Sequence, residues 1–199
     1  MNDLIQVIKV LNGADLKKVN QYVDTLDFQD NTVFGKPGDE CQTNTDIRSS
    51  TGVSLDDEHE ITNVLHTSMN NGLDEYKRRV QKIHPNFSYY PVPGAVGTRS
   101  WREGIQILDY KKGQEYKFHH DAATETRLGE YYRQISVILY LKEATKGGGT
   151  AFAHLSVKPK PGYALIFPSN WCFPHCGTQV TSGKKRVAVT WYYVNDLNV

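Results

Sequence analysis

A histidine and an aspartate stand two positions apart in the run YKFHHD, which spans Tyr116–Asp121 and has the composition of a strand. Side chains alternate between the two faces of a strand, so His119 and Asp121 are expected to point together while His120 points away. His175, in a turn after a later predicted strand, would supply a third ligand. Two histidines and one carboxylate with open coordination positions predict a metal site of the kind that non-haem iron(II) enzymes use.

A basic run follows ten residues after His175 and leads directly into the apolar segment VAVTWYY. Alternation places Lys185 on the same face as Val187, Val189 and Trp191, and places Arg186 on the other face. If the first face lines a barrel, Lys185 is a cation in an apolar cavity and requires an anion, which a dicarboxylate cosubstrate would supply. The alternative is a solvated basic turn. Whether Arg186 shares the role of Lys185 stays open.

The three cysteines, Cys41, Cys172 and Cys176, are an odd number, which argues against a disulfide framework. Cys172, His175 and Cys176 have the spacing of half a zinc site. A structural zinc site needs four ligands, however, and no second pair of cysteine or histidine residues has matching spacing. Packing is the expected role of the two cysteines beside His175, and a part in the chemistry is the alternative.

The composition excludes several classes of protein. The chain has 199 residues, which suits one domain, and a formal net charge of +1, which gives no general affinity for nucleic acid. No segment approaches the roughly 18 consecutive apolar residues of a membrane span, and the first residues do not resemble an export signal. The sequence therefore predicts a cytoplasmic protein and does not indicate its oligomeric state.

Apolar periodicity divides the chain into a helical part and a β-rich part. Helices are predicted over Ala14–Leu26 and over 61–80, the second with a capping signal at Ser54 and Asp57. Loops are expected at Gly35–Ser54, with an extended piece near 46–50, and at 85–97. From Gly104 onward six strand-like runs alternate with turn signals, as in an antiparallel barrel or sandwich. They are GIQILDY, YKFHHD, RQISVILYLKE, GGGTAFAHL, GYALIFP and KRVAVTWYYV.

These segments resemble the prolyl 4-hydroxylase-like branch of the 2-oxoglutarate/iron(II) dioxygenase superfamily over roughly residues 104 to 194. The run YKKGQEYKFHHD is similar to the branch's pattern of two tyrosines and a glycine turn before His-x-Asp, here Tyr110, Gly113, Tyr116, His119 and Asp121. The resemblance implies an α+β fold with a double-stranded β-helix (jelly-roll, cupin-like) core and N-terminal supporting helices. It implies a single domain, 1–199, with support and substrate-side loops in 1–100 and the catalytic core in 101–199.

The resemblance also implies roles for individual residues. His119, Asp121 and His175 match the iron ligands, and Lys185 matches the residue that binds the distal carboxylate of 2-oxoglutarate. Other matches to cosubstrate-pocket positions are Tyr110, Tyr140, Thr150 and Trp191, whose aromatic members could equally be core residues. The run DIRSSTG resembles a substrate-binding strand, which gives Arg48, Ser49 and Ser50 as candidates, and Arg133 is a further one. The implied cofactors are Fe(II), 2-oxoglutarate and O2, with ascorbate as an additional candidate.

The activity that the resemblance implies is hydroxylation of a prolyl residue in a proline-containing peptide or protein, with release of succinate and CO2. One alternative is hydroxylation of another residue or of a small molecule, because the loops at Gly35–Ser54 and Tyr89–Gly97 would set specificity. Another is a cupin-like metal- or ligand-binding module without oxygenase activity, against which Lys185 argues. A nucleic-acid demethylase is the least favoured class, because the net charge is near neutral.

Overall fold

The computed structural model describes residues 2–32, 44–86, 102–122 and 131–195. A short 3-10 turn at Asn2–Leu4 precedes two helices, α1 at Gly13–Val23 and α2 at Glu60–Ile83. The strands of the described ranges, β1 to β13 in chain order, are Gln6–Lys9, Gln29–Asp30, Thr51–Ser54, Gln106–Tyr110, Tyr116–His119, Tyr131–Lys142, Lys146–Gly147, Thr150–Phe152, Ser156–Val157, Tyr163–Pro168, His175–Gly177, Val180–Ser182 and Lys185–Asn195. Each of the six strand-like runs predicted after Gly104 contains a strand.

Helix α1 begins where the Asn12 side chain accepts a hydrogen bond from the Asp15 backbone N–H at 2.9 Å, which satisfies one of the free donors of the first turn. The predicted end at Leu26 was three residues too late. The chain leaves the helix after Val23, and the N–H groups of Thr25 and Leu26 donate to carbonyls three residues back, in a tight turn. Leu26 nevertheless packs against the core, which explains its place in the apolar pattern.

Helix α2 confirms the predicted apolar stripe, because its buried residues include Ile61, Leu65, Met69, Leu73, Tyr76 and Val80. The predicted cap at Ser54 and Asp57 was wrong. Ser54 ends strand β3, and the cap is His59, whose Nδ1 accepts from the Ile61 N–H at 3.2 Å. A serine followed by an acidic residue is typical of a helix start, but Ser54 pairs with Gln106 and therefore belongs to the sheet.

Two main sheets build the β core, and they form the jelly roll that the sequence predicts. The larger sheet has the order β1-β10-β6-β13-β4-β3-β2, and the smaller has the order β5-β11-β8-β9. The first hundred residues were predicted to hold helices and loops, but β1, β2 and β3 all belong to the larger sheet. The extended piece predicted near 46–50 is a turn and an isolated bridge from Arg48 to Tyr116, and the strand itself starts at Thr51.

The larger sheet separates two hydrophobic clusters. One lies under the helices and includes Ala188 and Tyr192, and the other lies inside the jelly roll and includes Val187 and Val189. The alternation predicted for the last strand is thus confirmed. The interior cluster combines residues of several strands with Phe152 of the smaller sheet. Among the described residues, no helix is both long enough and apolar enough to cross a membrane.

Candidate active site

The three predicted metal ligands meet at one end of the smaller sheet. His119 ends strand β5, His175 begins strand β11, and the two residues are direct partners in the antiparallel ladder. Asp121 follows two residues after β5, and its Oδ1 lies 3.3 Å from His119 Nε2. Its Oδ2 lies 3.6 Å from His175 Nε2. One ligand atom from each residue falls within 4.8 Å of the others, so a single ion can contact all three.

Both histidines are held with Nε2 directed into this space. His119 Nδ1 lies 2.7 Å from the Lys117 carbonyl, and His175 Nδ1 lies 3.2 Å from the Phe173 carbonyl. A carbonyl oxygen only accepts, so each Nδ1 carries the proton and each Nε2 keeps a free lone pair. Burial lowers the pKa of His175 to about 4, which leaves that imidazole neutral near pH 7. Neutral imidazole is the form that binds metals.

Asp121 is the anionic member of the group. Burial opposes its ionisation, but its contacts with His119 and His175 and the hydrogen bond from Ser136 outweigh burial and hold the pKa of Asp121 below its usual range. Ser136 Oγ also donates to Asp121 Oδ2 at 2.7 Å. An ionised, oriented carboxylate together with the Nε2 atoms of two imidazoles is a suitable set of donors for Fe(II).

Neighbouring residues of the ligands do not join the group. His120 lies outside the one cluster of metal-binding side chains found among the described residues, as the alternation predicted. Its Nδ1 is buried and has no hydrogen-bond partner in the described part of the chain. Cys172 and Cys176 are half-buried free thiols that are also absent from the cluster. The spacing of Cys172, His175 and Cys176 therefore gives no zinc site in the described ranges, and Cys41 lies outside them.

Lys185 is buried in the interior of the jelly roll, with 3% of its surface exposed. Its Nζ lies 4.8 Å from the centre of the Tyr110 ring. In the described part of the chain no carboxylate pairs with it, and burial lowers the pKa of Lys185 to about 8. A cation that loses its water without gaining an anion is unfavourable, so the surroundings of Lys185 Nζ are suited to an anionic ligand.

The two basic neighbours of Lys185 are neutralised on the opposite side of the sheet. Arg186 donates to both carboxylate oxygens of Asp109, at 2.7 and 3.0 Å, and to Asp24 at 2.7 Å. Lys184 Nζ lies 2.6 Å from Asp109. Arg186 therefore has a structural role and points away from the cavity of Lys185, which answers the question that the sequence left open.

Gly177 leaves space beside the Lys185 ammonium. A Cβ added to Gly177 would lie 3.7 Å from Lys185 Nζ and 3.6 Å from the Tyr116 Cβ. A side chain extending from that Cβ would enter the volume next to the ammonium. Gly177 is two residues beyond His175 on the same strand, so the space beside the Lys185 ammonium and the group of candidate metal ligands share one wall.

The remaining predicted cosubstrate residues line the same interior. Tyr140 and Thr150 are buried and share a hydrogen bond of 2.8 Å between their hydroxyl oxygens. Tyr110 is buried under Lys185, and burial raises its pKa. Trp191 is half-buried at the edge of the interior cluster. These positions agree with either a pocket or a packing role, and their assignment to the cosubstrate stays a prediction.

The predicted substrate residues of the DIRSSTG run have separate environments. Arg48 Cζ lies 5.0 Å from the centre of the Tyr116 ring, and that ring stacks on His119 with 3.6 Å between centroids. Ser49 Oγ instead contacts the Glu115 backbone, accepting from its N–H at 2.9 Å. Ser50 is buried and accepts from Arg48 Nε at 3.3 Å. Arg48 is thus placed near the metal ligands, while the two serines hold the surrounding backbone.

Arg133 also reaches the ligand group, by another route. Its guanidinium lies 3.8 Å from the centre of the Trp191 ring and donates to the Asp121 carbonyl at 3.3 Å. It forms two hydrogen bonds with the Glu103 carboxylate, of which the one from Nη2 measures 2.7 Å. The guanidinium is fixed beside Asp121 and Trp191.

Four residues of this site were missed as functional candidates in the sequence. Tyr116 stacks on a ligand, Ser136 and Ser169 are connected to Asp121, and Glu103 holds Arg133. Ser136 had a visible signal, because it is a polar residue within the apolar strand ISVILYL. Tyr116 lies only three residues before His119 in the same strand, whereas Ser169 and Glu103 depend on contacts between distant segments. The specificity loop predicted at Tyr89–Gly97 and residues 35–43 of that predicted at Gly35–Ser54 lie outside the described residues.

A jelly roll with a two-histidine, one-carboxylate group and a buried cation is typical of iron- and 2-oxoglutarate-dependent enzymes. The sequence matches the 2OG-Fe(II) oxygenase superfamily over residues 105–193. It is 29% identical to probable prolyl 4-hydroxylase 10 of Arabidopsis thaliana, in an alignment covering 100% of this chain and 82% of that protein. Residues 105–193 are thus similar to the 2OG-Fe(II) oxygenase superfamily, and the relative is of the prolyl 4-hydroxylase type, in agreement with the sequence motifs.

Further relatives support the same branch. Prolyl 4-hydroxylase 5 of Arabidopsis thaliana is 28% identical over 67% of this chain and 54% of its own length, so the chain spans about half of that relative. The fold matches a solved structure of the viral collagen prolyl hydroxylase of Paramecium Bursaria Chlorella virus-1 in complex with 2OG. The TM-score is 0.66 with 19% identity, and the match covers 96% of both chains.

Proposed function

We propose that this protein hydroxylates a prolyl residue in a peptide or protein, consuming 2-oxoglutarate and O2 and releasing succinate and CO2. The names of its relatives support prolyl 4-hydroxylation. Within the chain, the oxygenase reaction is supported by the group formed by His119, Asp121 and His175 together with the buried Lys185.

The observation that carries this proposal is the spacing of the cation from the metal ligands. Lys185 Nζ lies next to Gly177, and Gly177 is two residues from His175 along strand β11. Two residues of a strand span about 7 Å. That distance is comparable to the length of a five-carbon dicarboxylate, so one molecule of 2-oxoglutarate can reach the metal with one end and Lys185 with the other.

The described residues fit an iron ion at Nε2 of both histidines and at the Asp121 carboxylate. When bound, Fe(II) supplies the centre at which 2-oxoglutarate and O2 react to give succinate, CO2 and the oxidising equivalent for hydroxylation. Lys185 orients the cosubstrate by pairing with its distal carboxylate. Phe152 and Phe167, with ring centres 5.6 and 4.7 Å from the His175 ring, exclude water from one side of the ligands.

Three side chains around the ligand group have features that suit a peptide. Arg133 and Arg48 place guanidinium donors near Asp121 and Tyr116, where they can bind the carbonyl groups of a main chain. Trp171 is 75% exposed and stands two residues after Ser169, whose carbonyl accepts the N–H groups of Asp121 and Ala122. An exposed indole at this position can pack against a proline ring.

A panel of substrates tests the proposed specificity. The wild-type protein, with Fe(II) and 2-oxoglutarate in air, is expected to add one oxygen atom to proline-containing peptides, detected by mass spectrometry, and to leave free amino acids unchanged. Arg133→Ala is expected to raise the KM for the peptide about tenfold or more because a charged donor at the substrate is lost. Its KM for 2-oxoglutarate should change little.

The matched control is Arg78→Ala, which removes an exposed arginine of α2 that pairs with Glu75. This variant should keep both KM values. Oxidation of a free amino acid or small molecule, with no reaction on any proline peptide, would contradict the prolyl substrate and leave the oxygenase assignment in place.

Cosubstrate binding is expected to weaken in alkaline solution. The ammonium of Lys185 has a pKa of about 8 in the free protein, and pairing with a carboxylate raises that pKa in the complex. Binding therefore takes up a proton above about pH 8, and the Kd for 2-oxoglutarate should rise by up to about tenfold per pH unit there. Below about pH 7 the same Kd should be nearly constant.

Anaerobic titration calorimetry with Mn(II) in place of iron measures this profile. A Kd that stays constant from about pH 7 to pH 9 would show that Lys185 is not the cation that binds the cosubstrate.

The cytoplasmic location and the use of ascorbate stay predictions from the sequence.

A further inference from the structure

The carboxylate of Asp121 is connected to a pair of buried hydroxyl groups that the reaction above does not use. Ser136 Oγ lies 2.7 Å from Asp121 Oδ2 and 2.8 Å from Ser169 Oγ. Both serines are 1% exposed. Buried polar groups in proteins usually have all their hydrogen bonds satisfied. The hydrogen bonds of this pair therefore strongly restrict the orientation of the Asp121 carboxylate.

The direction of the two hydrogen bonds follows from the number of protons. An ionised carboxylate only accepts, so the single hydroxyl proton of Ser136 is donated to Asp121. Ser136 then has no proton left for Ser169, and Ser169 must donate to the Ser136 oxygen. The order of donation is therefore Ser169 to Ser136 to Asp121, and Ser169 influences the carboxylate through Ser136.

Ser169 is also attached to the ligand segment through the backbone. Its carbonyl accepts from the N–H groups of Asp121 at 3.1 Å and of Ala122 at 2.8 Å. Its own N–H donates to the Gln134 carbonyl at 2.9 Å. Ser169 directly follows strand β10 and begins the segment that leads to His175. One residue thus connects the segment that carries His119 and Asp121 with the segment that leads to His175.

We propose that Ser136 and Ser169 are positioning residues whose two hydroxyls fix the orientation of the Asp121 carboxylate and thereby set the affinity of the site for its divalent metal ion. The Asp121 oxygens lie 3.3 Å from His119 Nε2 and 3.6 Å from His175 Nε2. Without the hydrogen bond from Ser136, the carboxylate can rotate toward either histidine. A metal ion must then displace that contact before it binds. This inference rests on the metal site of the proposed function.

The test is the Kd for Mn(II), measured by titration calorimetry on the full chain without 2-oxoglutarate, so that no turnover is involved. Ser136→Ala is expected to raise this Kd about 10- to 100-fold, the range found when partners of metal ligands are removed. Ser136→Thr keeps the hydroxyl and should restore the Kd to within a few-fold of the wild type. Ser169→Ala should raise it only a few-fold because Ser136 still donates.

The double variant distinguishes two explanations of a lower Mn(II) affinity: Ser169 acting through Ser136, and independent packing effects of the two serines. Ser136→Ala combined with Ser169→Ala is expected to bind Mn(II) no more weakly than Ser136→Ala alone, since Ser169 acts through Ser136. Thr190→Val removes another buried hydroxyl of the same sheet, which donates to the Glu103 carbonyl, and should leave the Kd unchanged. Melting curves of the metal-free variants show whether each one folds.

The outcomes distinguish this inference from the proposed function. Equal Mn(II) affinity of the wild type and Ser136→Ala, or fully additive effects in the double variant, would overturn the positioning role while the metal site remained. Failure of the wild type to bind Mn(II) would overturn the metal site itself. If Ser136→Ala does not fold, Ser136→Thr and Ser169→Ala decide the question. A loss of Mn(II) affinity as large as about 100-fold in Ser169→Ala would contradict the ordered pair.

Discussion

Lys185→Ala is expected to weaken binding of 2-oxoglutarate by a factor on the order of 100 or more. Truncating one member of a buried, hydrogen-bonded charge pair costs about 2–5 kcal/mol, and each 1.4 kcal/mol is about tenfold in affinity. Lys185 is buried, its Nζ lies 4.8 Å from the centre of the Tyr110 ring, and no carboxylate in the described part of the chain pairs with it. Its loss would therefore leave the distal carboxylate of the cosubstrate without a counterion in the interior of the jelly roll. Anaerobic titration calorimetry with Mn(II) measures the change.

Lys184→Ala is the matched control for this experiment. It removes the same charge one position earlier, but Lys184 is 41% exposed and lies on the other side of the sheet, against Asp109. Asp109 keeps its two hydrogen bonds to Arg186 in that variant, so the fold should tolerate it. Comparable losses in both variants would mean that general charge and not the position of Lys185 attracts the cosubstrate.

Asp121→Asn is expected to lower affinity for Mn(II) on the order of 100-fold or more and to abolish turnover. The change removes the only negative charge of the ligand group, while the amide oxygen still accepts from Ser136 and preserves the packing. The metal-free protein should therefore remain folded, which near-UV circular dichroism can establish. The Kd for Mn(II) and succinate production give the two readouts.

His120→Ala is the control for the ligand assignment. His120 stands between His119 and Asp121 in the chain but lies outside the metal-binding cluster. Its replacement should leave the Kd for Mn(II) nearly unchanged. A loss of metal equal to that of Asp121→Asn would place His120 among the ligands and contradict the described orientation of this segment.

Local periodicity made the catalytic core predictable. The two-residue repeat of β5 placed His119 and Asp121 together, and the same repeat in β13 separated Lys185 from Arg186. The structure confirms both. In β13 a shift by one residue would move Arg186 from its carboxylate partner Asp109 into the interior cluster, which fixes the register. The resemblance to a known family then supplied the roles that spacing alone could not.

Contacts between distant segments were not predictable in this way. Strand β1 became part of the sheet by pairing with β10, some 160 residues later, and nothing in its short apolar run indicated that partner. Ser54 carried a capping signal but was recruited into the sheet by Gln106. Ser169 and Glu103 acquire their importance from Ser136 and Arg133, which lie 33 and 30 residues away in the chain.

The most direct test of the account is succinate production from 2-oxoglutarate by the purified protein with Fe(II) in air. The wild type is expected to form succinate, faster with a proline-containing peptide than without one, and His119→Ala is expected to form none. If the wild type forms no succinate with any peptide and also fails to bind 2-oxoglutarate anaerobically in the presence of Mn(II), the assignment of this site as a 2-oxoglutarate oxygenase is wrong.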